Sequence, residues 1–311
     1  MARKYKSRVL AAKIESTYGV DATPAGTDAI LTKGLTVNHY EGNKVSRDFD
    51  STQLGNSEQI NTGPYSTVTF EVELAGSGTA GDAPGYGALL RACGFSETIN
   101  AGTDVVYAPV SSAFESVTLY FMEAGELKKI MGARGTVSFS LSKGQLPTMS
   151  FTFTGFYSRP AAAAFTPDFS AFVAPVAVTA ANTPTYSVLG YTAKAESFSV
   201  DMNWEVVYRN VVNGESVEIT DRAPSGQFSI EAPEIGTKDF FADAESHTTI
   251  TTGAVQIVHG INAGNIVQFD APKVQLSNIS SADSDGILMF NMDAQFLNTD
   301  GNDDDFTVTV K

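Results

Sequence analysis

Apolar and polar residues alternate one by one along much of this chain. Leu35 and Val37 alternate with Thr36 and Asn38, and Val68, Phe70, Val72 and Leu74 with Thr67, Thr69, Glu71 and Glu73. The same rhythm returns at Val117-Thr118-Leu119-Tyr120-Phe121, at Val137 to Leu141, and at Met149-Ser150-Phe151-Thr152-Phe153. A period of two sends successive side chains to opposite faces of a strand, so the pattern predicts antiparallel sheets with one face buried and one wet. One stretch departs from it. Pro84-Gly85-Tyr86-Gly87-Ala88-Leu89-Leu90-Arg91-Ala92-Cys93-Gly94 predicts a short helix, with proline at its start, glycine at its end, and Tyr86, Leu89, Leu90 and Cys93 on one face.

The pattern divides the chain. Residues 1–29 read as an N-terminal arm, which Gly19, Pro24 and Gly26 keep from long regular structure. Residues 30–158 form a first β-domain. Residues 159–190 hold an alanine run, Pro160, Pro167, Pro175 and Pro184, and very few charges, the composition of a linker; Phe165, Phe169 and Phe172 let it lie on a surface. Residues 191–311 then repeat the first domain in order and phase. Pro224-Ser225-Gly226-Gln227-Phe228-Ser229-Ile230-Glu231 lies over Pro64-Tyr65-Ser66-Thr67-Val68-Thr69-Phe70-Glu71. The segment 236–242 stands where the helix stood. Val255 and Ile257 match Val117 and Leu119, Val274 and Leu276 match Val137 and Phe139, and Leu288, Phe290 and Met292 match Met149, Phe151 and Phe153. The expected fold class is mainly β, with an internal duplication.

Composition narrows the function. A chain of 311 residues exceeds what one core usually supports, about 250–300 residues. Its formal net charge of -15 argues against holding nucleic acid by its phosphates, since that needs clustered Lys and Arg. An acidic surface keeps the protein soluble and lets DNA pass without sticking. The single cysteine, Cys93, excludes an intrachain disulfide and sits in an apolar run, where a buried thiol is inert. The basic start Met1-Ala2-Arg3-Lys4-Tyr5-Lys6 leads into no apolar core, so no secretory signal is expected, and no run is long enough to span a bilayer.

The motifs that carry chemistry elsewhere are weak here. Gly76-Ser77-Gly78-Thr79-Ala80-Gly81 fits G-x-G-x-x-G, but Asp82, Ala83 and Pro84 separate it from the helix and the surroundings read antiparallel, so it is a glycine-rich turn. Asp300-Gly301-Asn302-Asp303-Asp304-Asp305 clusters oxygen ligands without EF-hand spacing or a closing Glu, and reads as a solvated turn, as does Asp283-Ser284-Asp285-Gly286. His39, His247 and His259 lack zinc spacing; His39 and His259 fall in predicted strands as structural residues. No catalytic, cofactor or metal residue is assigned.

Three stretches resemble the major tail tube proteins of long, non-contractile-tailed bacteriophages. They are Ala12-Lys13-Ile14-Glu15-Ser16-Thr17-Tyr18-Gly19-Val20-Asp21-Ala22-Thr23-Pro24; Val72-Glu73-Leu74-Ala75-Gly76-Ser77-Gly78 with 83–95; and Gly132-Ala133-Arg134-Gly135-Thr136-Val137-Ser138-Phe139 with 144–155. Together they cover much of residues 12–157. The resemblance implies domains of two packed antiparallel sheets flanked by a short helix. Such domains join side by side into rings, and rings stack into a hollow tube through which DNA reaches the host. With the duplication it implies rings of three chains with approximate sixfold symmetry. It also implies a place in the virion after synthesis in the host cytoplasm, and tape measure, tail terminator and distal tail proteins as partners. No membrane is involved, and genomic DNA passes without specific binding.

Two sets of residues follow as candidates. The wet strand faces carry Glu71, Glu73, Asp201, Glu205, Glu231 and Asp293, candidates for the channel lining. The polar segments 46–64 and 209–223 each join two predicted strands and are candidates for contact between rings: Asp48, Phe49, Asp50, Leu54, Asn56 and Glu58 in the first, Asn213, Glu215 and Asp221 in the second. A two-domain β-sandwich adhesin, fibre or binding protein is the alternative; it predicts exposed aromatic loops and a monomer.

Overall fold

The computed structural model describes residues 4–50, 52, 54–245 and 247–311. Residues 1–3 of the basic start, and Ser51 and Gln53 of the predicted loop 46–64, lie outside these. The first half runs β1 (Arg8–Ile14), β2 (Ala29–Ile30), β3 (Lys33–Ser46), β4 (Gln59–Glu73), α1 (Gly87–Ala92), β5 (Phe95–Asn100), β6 (Asp104–Pro109), β7 (Val117–Glu123), β8 (Glu126–Ser142), β9 (Thr148–Tyr157) and β10 (Ala161–Ala162). The second runs β11 (Thr185–Val188), β12 (Tyr191–Thr192), β13 (Ala195–Asp201), β14 (Trp204–Val211), β15 (Gly214–Arg222), β16 (Ser225–Glu231), α2 (Phe240–Ala244), β17 (Gly253–His259), β18 (Val267–Ser284), β19 (Ile287–Phe296) and β20 (Thr307–Val310).

Every pairing is antiparallel, and the second half pairs in the order of the first. The first half reads β3–β4–β9–β8–β7–β1–β2. The second reads β13–β16–β19–β18–β17–β11–β12. β10 returns to the start of β8, and β20 to the start of β18. The likeness reaches single residues: Val68 stands between Val37 and Phe153, and Phe228 between Phe198 and Met292. Among the described residues the hairpin β5–β6 has no counterpart between α2 and β17. β14–β15, a separate two-stranded sheet, stands where the first half has the outer parts of β3 and β4.

Two expectations are corrected. The N-terminal arm contains a regular strand, β1, paired along its whole length with β7. Leu10, Ala11 and Ala12 are all buried, so β1 faces protein on both sides and shows no alternation to read. In the ladder Val274 stands not at the place of Val137 but at that of Ile130, since Ile130 pairs with Tyr157 and Val274 with Phe296. A bulge between Met131 and Arg134 shifts the phase between Ile130 and Val137, both buried, so phase alone matched the wrong one.

The two halves share one sheet and one core. β8 pairs with β7 along its first part and with β13 along its last, from Ser138↔Asp201 to Ser142↔Ser197. β20 pairs with β6. The register shifts at Met131/Arg134 of β8 and at Ser277/Ser280 of β18, and a bulge bends the strand that carries it. An apolar row runs Val72–Met149–Phe139–Val200–Gly226–Ala294–Leu276 across both halves, every side chain in it buried. Burying each large member contributes about 1.5–3 kcal/mol.

The segment 159–190 lies along this body. Ala163 N–H donates to Gly125 O (3.2 Å), Asp168 N–H to Gly26 O (2.9 Å), and Val178 N–H to Gln145 O (2.9 Å). His259 clasps it with Nδ1 by Thr183 Oγ1 (3.0 Å) and Nε2 by Val176 O (3.0 Å). The glycine-rich turn packs backbone against backbone: Gly78 N–H donates to Gly264 O at 2.8 Å, and a Cβ on Gly76 would meet that oxygen at 2.0 Å. Its glycines serve this close approach.

Candidate channel wall and assembly surfaces

The face opposite the apolar row is polar from end to end. One row runs Lys33–Glu71–Ser150–Ser138–Asp201–Ser225–Gln295–Gln275. Its neighbour runs Glu73–Thr148–Ser140–Ser199–Gln227–Asp293–Ser277. Glu231 shares the face, being in phase with Gln227 and Ser229 on β16. Five candidate carboxylates, Glu71, Glu73, Asp201, Glu231 and Asp293, are therefore brought onto one wet surface that crosses the junction of the halves without a break.

Glu205 is not among them. It lies on β14, in the separate hairpin, opposite Asp221. The chain turns at Asn203, whose φ of 47° breaks the strand after β13, and this carries Glu205 off the face that alternation from Asp201 assigned to it.

The wall is acidic but not bare. Lys33 pairs with Glu73, and Lys194 with Glu231 at 3.1 Å. Asp293 accepts from Gln227 Nε2 (3.0 Å) and Asn278 Nδ2 (2.9 Å). Where the halves meet, Lys143 pairs with Glu196, and that hydrogen bond holds the Glu196 carboxyl below its usual range. Most other positions are Ser, Thr, Gln or Asn, which present water-like hydroxyl and amide groups.

The candidate contact segments belong to two hairpins that touch at Tyr65 and Tyr208. β3 and β4 project as a long hairpin whose tip, 47–58, carries Asp48, Phe49, Asp50, Leu54, Asn56 and Glu58, all exposed. Arg47 bridges Glu58 at 3.1 Å and lies 4.8 Å from the Phe49 ring centre. The segment 209–223 is no loop but the β14–β15 hairpin, turning tightly at Asn213 (φ 66°). Glu215 accepts from Tyr208 OH (2.8 Å), and Asp221 lies at the hairpin's base. Tyr65 and Tyr208, with ring centres 4.8 Å apart, join the two hairpins.

Further polar clusters centre on Glu15 and Arg222, which draw most of their partners from distant parts of the chain. Buried Glu15 accepts from Gly19 N (2.7 Å), Gly132 N (2.7 Å), Ser116 Oγ (2.6 Å) and Thr118 Oγ1 (2.8 Å), fastening the end of β1 to β7 and β8. Arg222 bridges Asp303 (2.7 Å) and Asp305 (2.8 Å). Asp304 accepts from Thr299 N at 2.8 Å. The acidic turn thus directs three of its carboxylates into the protein rather than leaving them solvated as expected. Among the described residues no group of three or more His, Cys, Asp or Glu is placed to hold a metal, and no helix is long and apolar enough to cross a membrane.

A mainly β chain with a continuous polar face and no cluster of metal-ligating residues among the described ones has the features of a structural protein. A profile described as phage tail tube protein matches residues 6–309, nearly the whole chain, and the chain belongs to that family. No curated protein matches it significantly. It is thus a structural tail tube protein, a component of the virion that assembles with itself into a tube.

Proposed function

We propose that the chain is a duplicated tube domain and that three copies close a ring of six related positions. The observation that carries this is the residue-level repeat of the ladder, Val37–Val68–Phe153 against Phe198–Phe228–Met292. By that repeat the units begin earlier than the alternation suggested: β1–β2 correspond to β11–β12, so the first unit takes in most of the N-terminal arm and the second the end of the linker. Head-to-tail contacts that close make a ring, and contacts along the axis stack rings. The paired hairpins β3–β4 and β14–β15 supply the axial contacts. The acidic polar face lines the channel, and genomic DNA travels along it without specific binding. Assembly in the host cytoplasm, around a tape measure protein and between distal tail and terminator proteins, fits this reading.

Purified protein allowed to polymerise and reconstructed by electron cryomicroscopy tests it. Three chains per ring, with the Glu71–Asp201 face inward, is the expected result. Six chains per ring, or soluble monomers at every concentration, would reject it.

A further inference from the structure

The turn that closes the β14–β15 hairpin holds a reactive pair of residues. Val211 pairs with Gly214, so Val212 and Asn213 alone make the turn. Both are exposed, Val212 at 94%. Asn213 is the one asparagine of the chain that precedes a glycine. Among the described residues none bonds its side-chain amide. The asparagines nearest to it along the chain are held: Asn210 Nδ2 donates to Tyr208 OH (3.2 Å), and Asn203 Nδ2 donates to Ala223 O (3.0 Å) and Ser225 Oγ (2.8 Å).

An asparagine carboxamide is open to attack by the main-chain nitrogen of the residue that follows it. A side chain on that residue shields the nitrogen, and glycine has none. The space around Gly214 is uncrowded: a Cβ built there would meet only Val211 Cγ2, at 3.4 Å. Asn213 itself lies in the left-handed region, φ 66°, which asparagine and aspartate both accept. The turn therefore tolerates an amide or an acid at this position.

We propose that Asn213 is a site of spontaneous deamidation, which turns the tip of this hairpin from neutral to anionic. Gly214 N bonds to Asn213 Cγ, the Cγ–Nδ2 bond breaks, and the proton of Gly214 N leaves with Nδ2 as ammonia. Water then opens the five-membered ring. Attack at Cγ gives aspartate; attack at the main-chain carbonyl of residue 213 gives isoaspartate, whose backbone runs through Cβ and Cγ. Each conversion consumes a water and releases an ammonia, and nothing is oxidised or reduced. Either product sets a carboxylate two residues before the exposed Glu215. Isoaspartate also lengthens the backbone of a turn whose geometry is set by two residues. On the reading above, in which this hairpin supplies axial contacts, a free subunit loses its ability to stack as it ages.

Ageing the unassembled chain in mildly alkaline buffer tests it. Trypsin cuts after Arg209 and Arg222, so residues 210–222 leave as one peptide, and fragmentation in a mass spectrometer separates Asn210 from Asn213. Asn213 should convert to a mixture of aspartate and isoaspartate at least about tenfold faster than Asn210, and Gly214→Ala, confirmed folded by circular dichroism, should slow it by about as much. Aged parent protein should need several-fold more protein than fresh to form tubes. Asn213→Gly, which suits the positive φ and has no amide, should assemble equally well fresh and aged. Conversion no faster than at Asn210, an unchanged rate in Gly214→Ala, or aspartate without isoaspartate would overturn the site. Full conversion with undiminished assembly would overturn the effect on stacking and leave the chemistry standing. Failure of the fresh chain to form tubes would remove the axial reading and the stacking effect with it, while the peptide map of free subunits would still decide the site.

Discussion

Phe139 and Phe269 meet edge to face with ring centres 5.5 Å apart, one on β8 of the first half and one on β18 of the second. Phe306 lies 5.5 Å from Phe139 and 5.6 Å from Phe269. A first-half side chain thus completes the second half's aromatic core, and the halves should unfold together. Phe139→Ala leaves a cavity at a site 1% exposed, and should cost about 3–5 kcal/mol. Urea unfolding followed by far-ultraviolet circular dichroism and by the fluorescence of Trp204, the single tryptophan, should give one coincident transition in both proteins, at lower urea in the variant. Two separated transitions in the parent protein would show that the halves are independent.

Arg222 ties β15 to the C-terminal turn through Asp303 and Asp305, and the Asp305 side chain is only 5% exposed. Arg222→Ala strands a buried carboxylate and should destabilise by about 3–5 kcal/mol. Arg222→Met with Asp305→Leu replaces the inner pair with apolar bulk, and should recover most of that loss. Failure of the double variant to recover would mean that the bridge is needed for geometry and not only for charge balance.

The sheets were legible because their strands are wet on one side, which is what alternation reports. β1 was not, since Leu10 and Ala11 are buried on opposite faces of the strand. The polar face was legible strand by strand, from Glu71 and Glu73 to Asp293, but its continuity was not. That depends on Ser138 pairing with both Ser150 and Asp201, and nothing local to residue 138 announces two partners. Glu205 was misplaced because one residue in a left-handed conformation, Asn203, ends the phase that alternation assumes to continue. Glu15 and Arg222 are not legible in the sequence because their long-range partners lie 81 to 117 residues away.

His259 and His39 supply a pH dependence. Burial holds both imidazoles below their ordinary pKa, His259 beside Val176 O and His39 beside Ser158 O. In the unfolded chain each titrates near about 6.5. Below that value the unfolded chain binds more protons than the native one, so stability present above about pH 6.5 is lost as pH falls toward the depressed folded values. Asp21, Asp303 and Asp304, whose carboxyls are held low, lose their contributions only below about pH 4. The urea midpoint should therefore be lower at pH 5.5 than at pH 7.5, and His259→Gln should shrink that difference. An undiminished difference in the variant would assign the dependence elsewhere.

The polar wall makes the most demanding prediction, because it concerns DNA that must move. Duplex DNA carries about one phosphate charge per 1.7 Å of axis, and a protein that neutralises 6–10 phosphates loses about 10³–10⁵ in affinity between 50 and 200 mM salt. A basic channel would therefore grip DNA at low salt and release it at high salt. Glu71 and Asp201 are both exposed and lie on the same row, separated by Ser150 and Ser138. Glu71→Lys with Asp201→Lys reverses the charge in both halves without touching the buried row behind them, so tubes should form normally. On the proposed reading, in which this face lines the channel, the lysines would meet phosphates at each level of the stack. Virions built with the variant should eject DNA slowly or incompletely at low ionic strength, and recover as salt is raised; parent virions should show little such dependence. Ejection that matches the parent at every salt concentration, from tubes imaged as intact, would put this face on the outside of the tube.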